Sequence, residues 1–189
     1  EPQSLNTRAI WWTIPATVLH SAGIHEREVP GALHAAEHAA IGLLPLTATC
    51  DRWDIGGLST ALHVDTEQPT IFVYDGHPGG AGFAERGFDA AEHWLRATLD
   101  TILACECERG CPSCVQSPKC GNRNEPLEKT AAARLLGALL VHAGAVSEDE
   151  NRALLKPLNQ REVDAGRAPQ PMVSAVEALT GQHSSEAPF

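Results

Sequence analysis

An α+β fold is the class this sequence predicts: a small mixed or antiparallel sheet with packed helices, and a tetracysteine module set between two of them. Three observations carry it. Strand-like runs cluster in the first 75 residues, helical stripes dominate the remainder, and five of the six cysteines fall within residues 105–120, between two of those stripes.

Taken in order, residues 8–18 (RAIWWTIPATV) are rich in β-formers and read as a strand broken at Pro15. Residues 30–44 read as a helix: Pro30 suits its first turn, Leu33, Ala36, Ala40, Ile41 and Leu44 form an apolar stripe, and Pro45 should end it. CDRWDIGG (50–57) is polar and glycine-bearing and reads as a loop, with strands expected over 59–64 and 70–74. DGHPGGAG (75–82) carries four glycines and a proline, which argues against regular structure. A helix over 89–104 then buries Ala91, Trp94, Leu95, Leu99, Ile102 and Leu103 and hands the chain to the cysteines. Another leaves them, with Asn124 as cap, Pro126 in the first turn, and Leu127, Ala131, Leu135, Leu136, Leu139 and Leu140 as its stripe. Ser147-Glu148-Asp149-Glu150 is a capping box for a short helix toward Lys156. Beyond about residue 157 the chain turns rich in Pro, Gln, Ser and Ala, with one weak helical patch over 173–179, and reads as a peripheral or partly disordered tail. The expected division is a unit over 1–145, holding the cysteine module 105–120, and a helical extension with a flexible tail over 146–189.

Composition narrows the functional classes. A formal charge of −10 and a pI near 5.3 exclude a broad phosphate-gripping face, so any nucleic-acid contact must be local. No apolar run is long enough to span a membrane, and reduced cysteines fit the cytosol. The initial Glu suggests a piece cut from a longer polypeptide.

The string CECERGCPSCVQSPKCGN has metal-site spacing. Zinc gathers four thiolates at about 2.3 Å, and a C-P-x-C turn delivers two of them together. Cys111 and Cys114 form that turn, with Pro112 fixing φ between them and Gly110 and Gly121 letting backbone amides approach sulfur. Cys107 is the expected third ligand. The fourth is Cys120 or Cys105, and Cys120 is favoured because Cys105 could finish the buried face of the preceding helix. Cys50 stands alone and reads as a small buried residue. Disulfides would suit a smaller, secreted domain, and an iron–sulfur cluster ranks behind zinc.

Two further constellations carry chemistry-bearing residues. His34-Ala35-Ala36-Glu37-His38 matches H-x-x-E-H, in which two histidines on one helical face hold zinc and the glutamate activates water; Glu85 or Glu92 would have to supply a third ligand. Asp51, Asp54, Asp75 and His77 could hold magnesium, although capping of turns and pinning of the glycine loop explain the carboxylates more simply. No G-x-x-x-x-G-K-[ST] occurs, so this stretch is not itself an ATP motor. Trp11, Trp12 and Trp53 could stack on bases, against the commoner role of aromatics in cores. Arg109, Lys119 and Arg123, with Lys129 and Arg134 behind them, are the local basic candidates, interleaved with Glu106, Glu108, Glu125 and Glu128.

The order RAIWWTIP, HAAEHA, CDRWDIGG, VYDGHPGGAGFAERGF and CECERGCPSCVQSPKCGNRNEPLEKTAA resembles the zinc-binding C-terminal domain of MrfA-like and Hrq-like superfamily II DNA helicases over residues 7–140. The resemblance implies part of a bacterial, cytoplasmic and nucleoid-associated ATP-dependent 3′ to 5′ helicase acting in DNA repair. The cysteines of 105–120 carry over as structural zinc ligands, and Arg109, Lys119 and Arg123 are candidates for phosphate contact. It implies no catalytic residue here: ATP and Mg²⁺ would belong to RecA-like motor domains, which with DNA are the expected partners. The rival readings are an embedded metal-dependent hydrolase, nuclease or H-x-x-E-H peptidase, and a protein-docking module.

Overall fold

The computed structural model describes residues 4–166. Three strands, β1 (Ala9–Thr13), β2 (Ile55–Thr60) and β3 (Thr70–Asp75), form an antiparallel sheet in the order β1-β3-β2. Among the described residues six α-helices accompany it: α1 (Ala16–Ser21), α2 (Val29–Ala48), α3 (Phe83–Asp89), α4 (Ala91–Ala104), α5 (Lys129–His142) and α6 (Glu148–Asp164). The predicted α+β class holds, with the cysteines between α4 and α5. Among the described residues no helix is long and apolar enough to cross a membrane.

The organising element is α2. Every residue from 31 to 41 is buried, because α5, α4 and the sheet all pack against this one helix. Its run of alanines permits that crowding: Ala32, Ala35, Ala36, Ala39 and Ala40 are small enough for neighbours on all sides to approach. The helix also continues through Pro45 to Ala48 rather than ending before it. A proline removes one intrahelical bond, but burial of Leu44 and Ala48 holds the last turn in place.

Glycine decides how the sheet meets α2. The Gly56-Gly57 pair, expected in a loop, lies inside β2. A Cβ on Gly57 would run into Ile41 and Glu37 of α2, and one on Gly56 into the Tyr74 ring. The strand expected over 59–64 therefore begins four residues earlier, at Ile55, because the missing side chain of Gly57 lets the backbone lie against the helix. At the other edge, β1 ends at Thr13 and Pro15 starts α1 instead of interrupting a longer strand.

The core has two parts that meet at α2. One joins α1, α2, α4, α5 and α6; the other lies between α2, α4 and the sheet around Trp94, whose Nε1 donates to the Ala40 carbonyl at 2.8 Å. Helix α6 is longer than the short helix expected, running through Pro157 and burying Leu155 and Leu158 in the first part. The buried Arg134 guanidinium pairs with Glu162 and ties α6 to α5. The helical patch expected over 173–179 and the tail lie outside the described residues.

Candidate metal centre

Helix α4 stops at Ala104, and the extended backbone at Cys105 swings the chain into the cysteine loop. The main-chain N–H groups of Cys114, Val115 and Gln116 all converge on the Cys111 carbonyl, which closes the expected C-P-x-C turn. Gly110 has φ 112°, a value only glycine takes readily, and a side chain there would meet Val115. Gly121, expected to serve similarly, has open space around it, and the left-handed residues of this region are Arg123 and Asn124 instead.

Four sulfurs converge: those of Cys105, Cys107, Cys111 and Cys114 all lie within 4.8 Å of one another. Cys105–Cys107, Cys105–Cys111 and Cys107–Cys114 are 3.5 Å apart and Cys111–Cys114 3.8 Å. A tetrahedron of thiolates about 2.3 Å from zinc has edges of about 3.8 Å, so the donor set fits that ion within a few tenths of an ångström. The preference for Cys120 over Cys105 does not match this geometry. Cys105 turns into the loop as it leaves α4, whereas Cys120 sits beside His34. Cys50, expected to be a small buried residue, is only partly buried, at the edge of the second part of the core.

The surroundings suit a bound cation. The Ser113 backbone N–H, aided by Cys105, draws the Cys111 thiol down to about 7, whereas burial pushes Cys114 up to about 12. A dication at the centre reverses the latter, since it binds the thiolate and displaces the proton. Lys129, the first residue of α5, reaches back with its buried ammonium to the carbonyls of Cys105 and Cys107, both at 2.6 Å, and to Cys107 Sγ at 3.3 Å. One lysine therefore neutralises part of the charge of four thiolates while fastening both flanking helices to them. By sequence alone Lys129 groups with the basic surface residues; only its place at the first turn of a helix after the cysteines hints otherwise. Asn124, expected to cap α5, instead closes the cysteine loop through both Ser117 main-chain groups.

Lys129→Met should lower zinc affinity about 10–100-fold, the usual cost of losing a partner outside the ligand shell. Stability should fall by about 1.5–3 kcal/mol, because charge-assisted bonds are lost in a buried place. Competition with a chromophoric chelator and thermal melts check both values; unchanged affinity would make Lys129 a packing residue only.

The other candidates separate cleanly. Asp51 accepts from the Trp53 N–H and Asp54 from the Asp51 N–H, and backbone and His77 contacts hold Asp54 below its usual carboxylate range. Asp75 is wholly buried and accepts three amides of the glycine loop and α3. These are turn-holding roles. Glu85 lies beside Arg8 and Glu92 is exposed, so neither joins the histidines. His34, Glu37 and His38 are buried on α2, with burial raising Glu37 to about 7 and lowering His38 to about 4. Arg109 and Arg123 are exposed, while Lys119 spends its ammonium on the carbonyls of Arg52, Trp53 and Ile55 at 3.3, 3.2 and 2.7 Å. Trp12 packs against Trp94, and Trp11 and Trp53 remain exposed.

The profile of the MrfA Zn-binding domain matches residues 36–115. An uncharacterised protein of Methanocaldococcus jannaschii is 40% identical over 111 residues, 57% of this chain and 99% of that protein. The chain belongs to the MrfA Zn-binding domain family. The same domain is similar to part of YprA, an uncharacterised ATP-dependent helicase of Bacillus subtilis, at 33% identity over 60% of this chain. A crystal structure described as the DUF1998 helicase MrfA bound to DNA superposes with a TM-score of 0.52 and 31% identity over 61% of this chain. The chain spans 15% of each of those two helicases but nearly all of the archaeal relative.

Proposed function

We propose that this chain is the zinc-binding accessory domain of an ATP-dependent 3′ to 5′ superfamily II DNA helicase that acts in DNA repair in the bacterial cytoplasm, at the nucleoid. The convergence of Cys105, Cys107, Cys111 and Cys114 carries the reading. Four thiolates fill all tetrahedral positions and leave none for substrate, so the zinc is structural. It fixes the ends of α4 and α5, and the unit over residues 1–145, with 146–189 as its extension, guides the DNA strands. ATP and Mg²⁺ belong to RecA-like motor domains, and this chain alone contributes no catalytic group. The solvent face of the sheet, where Trp11 and Leu58 are exposed on either side of Phe72, offers an apolar surface for docking on that motor.

With a net charge of −10, DNA contact must be confined to the basic side chains around the cysteine loop. Arg109 and Arg123 are exposed and can reach phosphate; Lys119, held by three carbonyls, is the weaker candidate. In the parent helicase, Arg109→Ala with Arg123→Ala should weaken single-strand binding and reduce the slope of log K against log salt by about 0.7 for each phosphate left without its arginine. Lys119→Ala should act on stability as well, since it frees three carbonyls. An unaltered salt slope would remove the arginines from the DNA path while leaving the zinc assignment standing.

A further inference from the structure

The histidines of α2 take no part in the four-sulfur cluster, yet they are built as ligands. His34 and His38 lie one helical turn apart with ring centroids 4.2 Å from each other. The loop that follows the C-P-x-C turn brings Cys120 Sγ to 3.3 Å from His34 Nε2. One nitrogen of each ring and the Cys120 sulfur lie within 4.8 Å of one another.

Hydrogen bonding fixes which nitrogens are offered. His34 Nδ1 lies 2.9 Å from the Pro126 carbonyl and His38 Nδ1 2.9 Å from the Val115 carbonyl. A carbonyl oxygen only accepts, so both rings carry their proton on Nδ1 and present the Nε2 lone pair. Carbonyls holding the distal N–H of a histidine are what orient metal-binding imidazoles. The third donor is held in place as well: the Asn124 main-chain N–H points at Cys120 Sγ from 3.2 Å. A tetrahedral zinc with ordinary Zn–N and Zn–S lengths separates those two ligands by about 3.6 Å, close to the distance between His34 Nε2 and Cys120 Sγ.

We propose that His34 Nε2, His38 Nε2 and Cys120 Sγ form a second site for a divalent transition-metal ion, zinc foremost, whose fourth position is open. Two imidazoles and one thiolate are a borderline-soft set that suits Zn²⁺ or Co²⁺ over Mg²⁺ or Ca²⁺. The three donors lie on the wall of a cavity of about 600 Å³, facing Gly56 and Gly57 of β2 and Trp53. Water or a small monodentate anion entering that cavity completes the tetrahedron. The site is separate from the four-thiolate centre but shares its loop, since Val115, which holds His38, directly follows Cys114. It does not depend on the helicase reading.

The test is a metal count with spectroscopy on the whole chain. After zinc loading and removal of loose ions, elemental analysis should give two equivalents, and Cys120→Ser and His38→Gln should each retain one with unchanged helical circular dichroism. Cobalt(II) loading should add to the four-thiolate spectrum a component that is missing in Cys120→Ser and that shifts when azide is added. A single equivalent in the wild-type chain, or two retained in Cys120→Ser and in His38→Gln, would overturn the site. Azide insensitivity of that component would overturn the open position. In either case zinc that depends on Cys111 would survive as separate support for the structural centre.

Discussion

Replacing Cys111 with serine should strip the structural zinc and leave the chain without a cooperative thermal transition at physiological temperature. The Cys111 thiol sits 3.5 Å from Cys105 and 3.8 Å from Cys114, so the substitution opens one vertex of the tetrahedron and leaves three thiolates around an underfilled ion. Apparent binding free energies for structural zinc are about 10–16 kcal/mol in small peptides at neutral pH. The whole stability of a domain is about 5–15 kcal/mol. The metal contribution is therefore on the scale of the total. Strong chelators should act like the substitution, lowering the melting temperature of the wild-type chain and exposing four thiols to titration. Circular dichroism with and without chelator decides it, and a melting temperature indifferent to both would sink the structural role of the metal. The damage should begin at the C-terminal end of α4 and the first turn of α5. Those are the segments that Cys105 and Lys129 fasten to the cluster.

Asp75→Ala comes next in size. The Asp75 carboxylate, inaccessible to solvent, accepts from the N–H groups of Ala81 at 2.5 Å, Phe83 at 3.2 Å and Ala84 at 2.7 Å. It thereby acts as a remote cap for α3, whose own N-cap position, Gly82, has no side chain to offer. Alanine would leave those amides without their acceptor in a dry place, at about 1–3 kcal/mol for each group left unsatisfied. The expected loss is about 3–5 kcal/mol, among the larger effects a point substitution produces. Asp75→Asn should cost less, because one oxygen still accepts while the new NH₂ group faces donors. Urea denaturation of both variants measures the difference. A cost below about 1 kcal/mol for alanine would show that water reaches the loop and replaces the carboxylate.

Several features were legible without coordinates because their causes are local. The stripes of α4 and α5 follow from helical periodicity, and Trp94, Leu99, Leu135, Leu136 and Leu140 are buried as their spacing requires. The C-P-x-C turn is set by four adjacent residues. The carboxylate roles were also readable, since Asp51 and Asp54 hold a turn within a few residues of themselves. Other features misled for equally physical reasons. Gly56 and Gly57 are poor strand formers on their own, yet β2 needs Gly57 to let α2 approach and Gly56 to make room for the Tyr74 ring. Pro45 is a helix breaker on its own, yet the burial of Leu44 and Ala48 outweighs the single bond it removes. Asn124 has the chemistry of a cap but finds a better use closing a loop.

Spacings of a few residues were thus enough to specify an α+β chain with a cysteine-borne metal centre between two helices. The division of the ligands was settled at longer range. Cys105 and Cys120 are equivalent as letters on either side of the C-P-x-C turn, and which one joins it depends on where α4 ends and on what the far end of the loop meets. His34 and Cys120 are 86 positions apart and meet because α2 is buried against α5 and the loop that precedes it. That packing is set by apolar contacts distributed over the whole core, and no short stretch of sequence contains them.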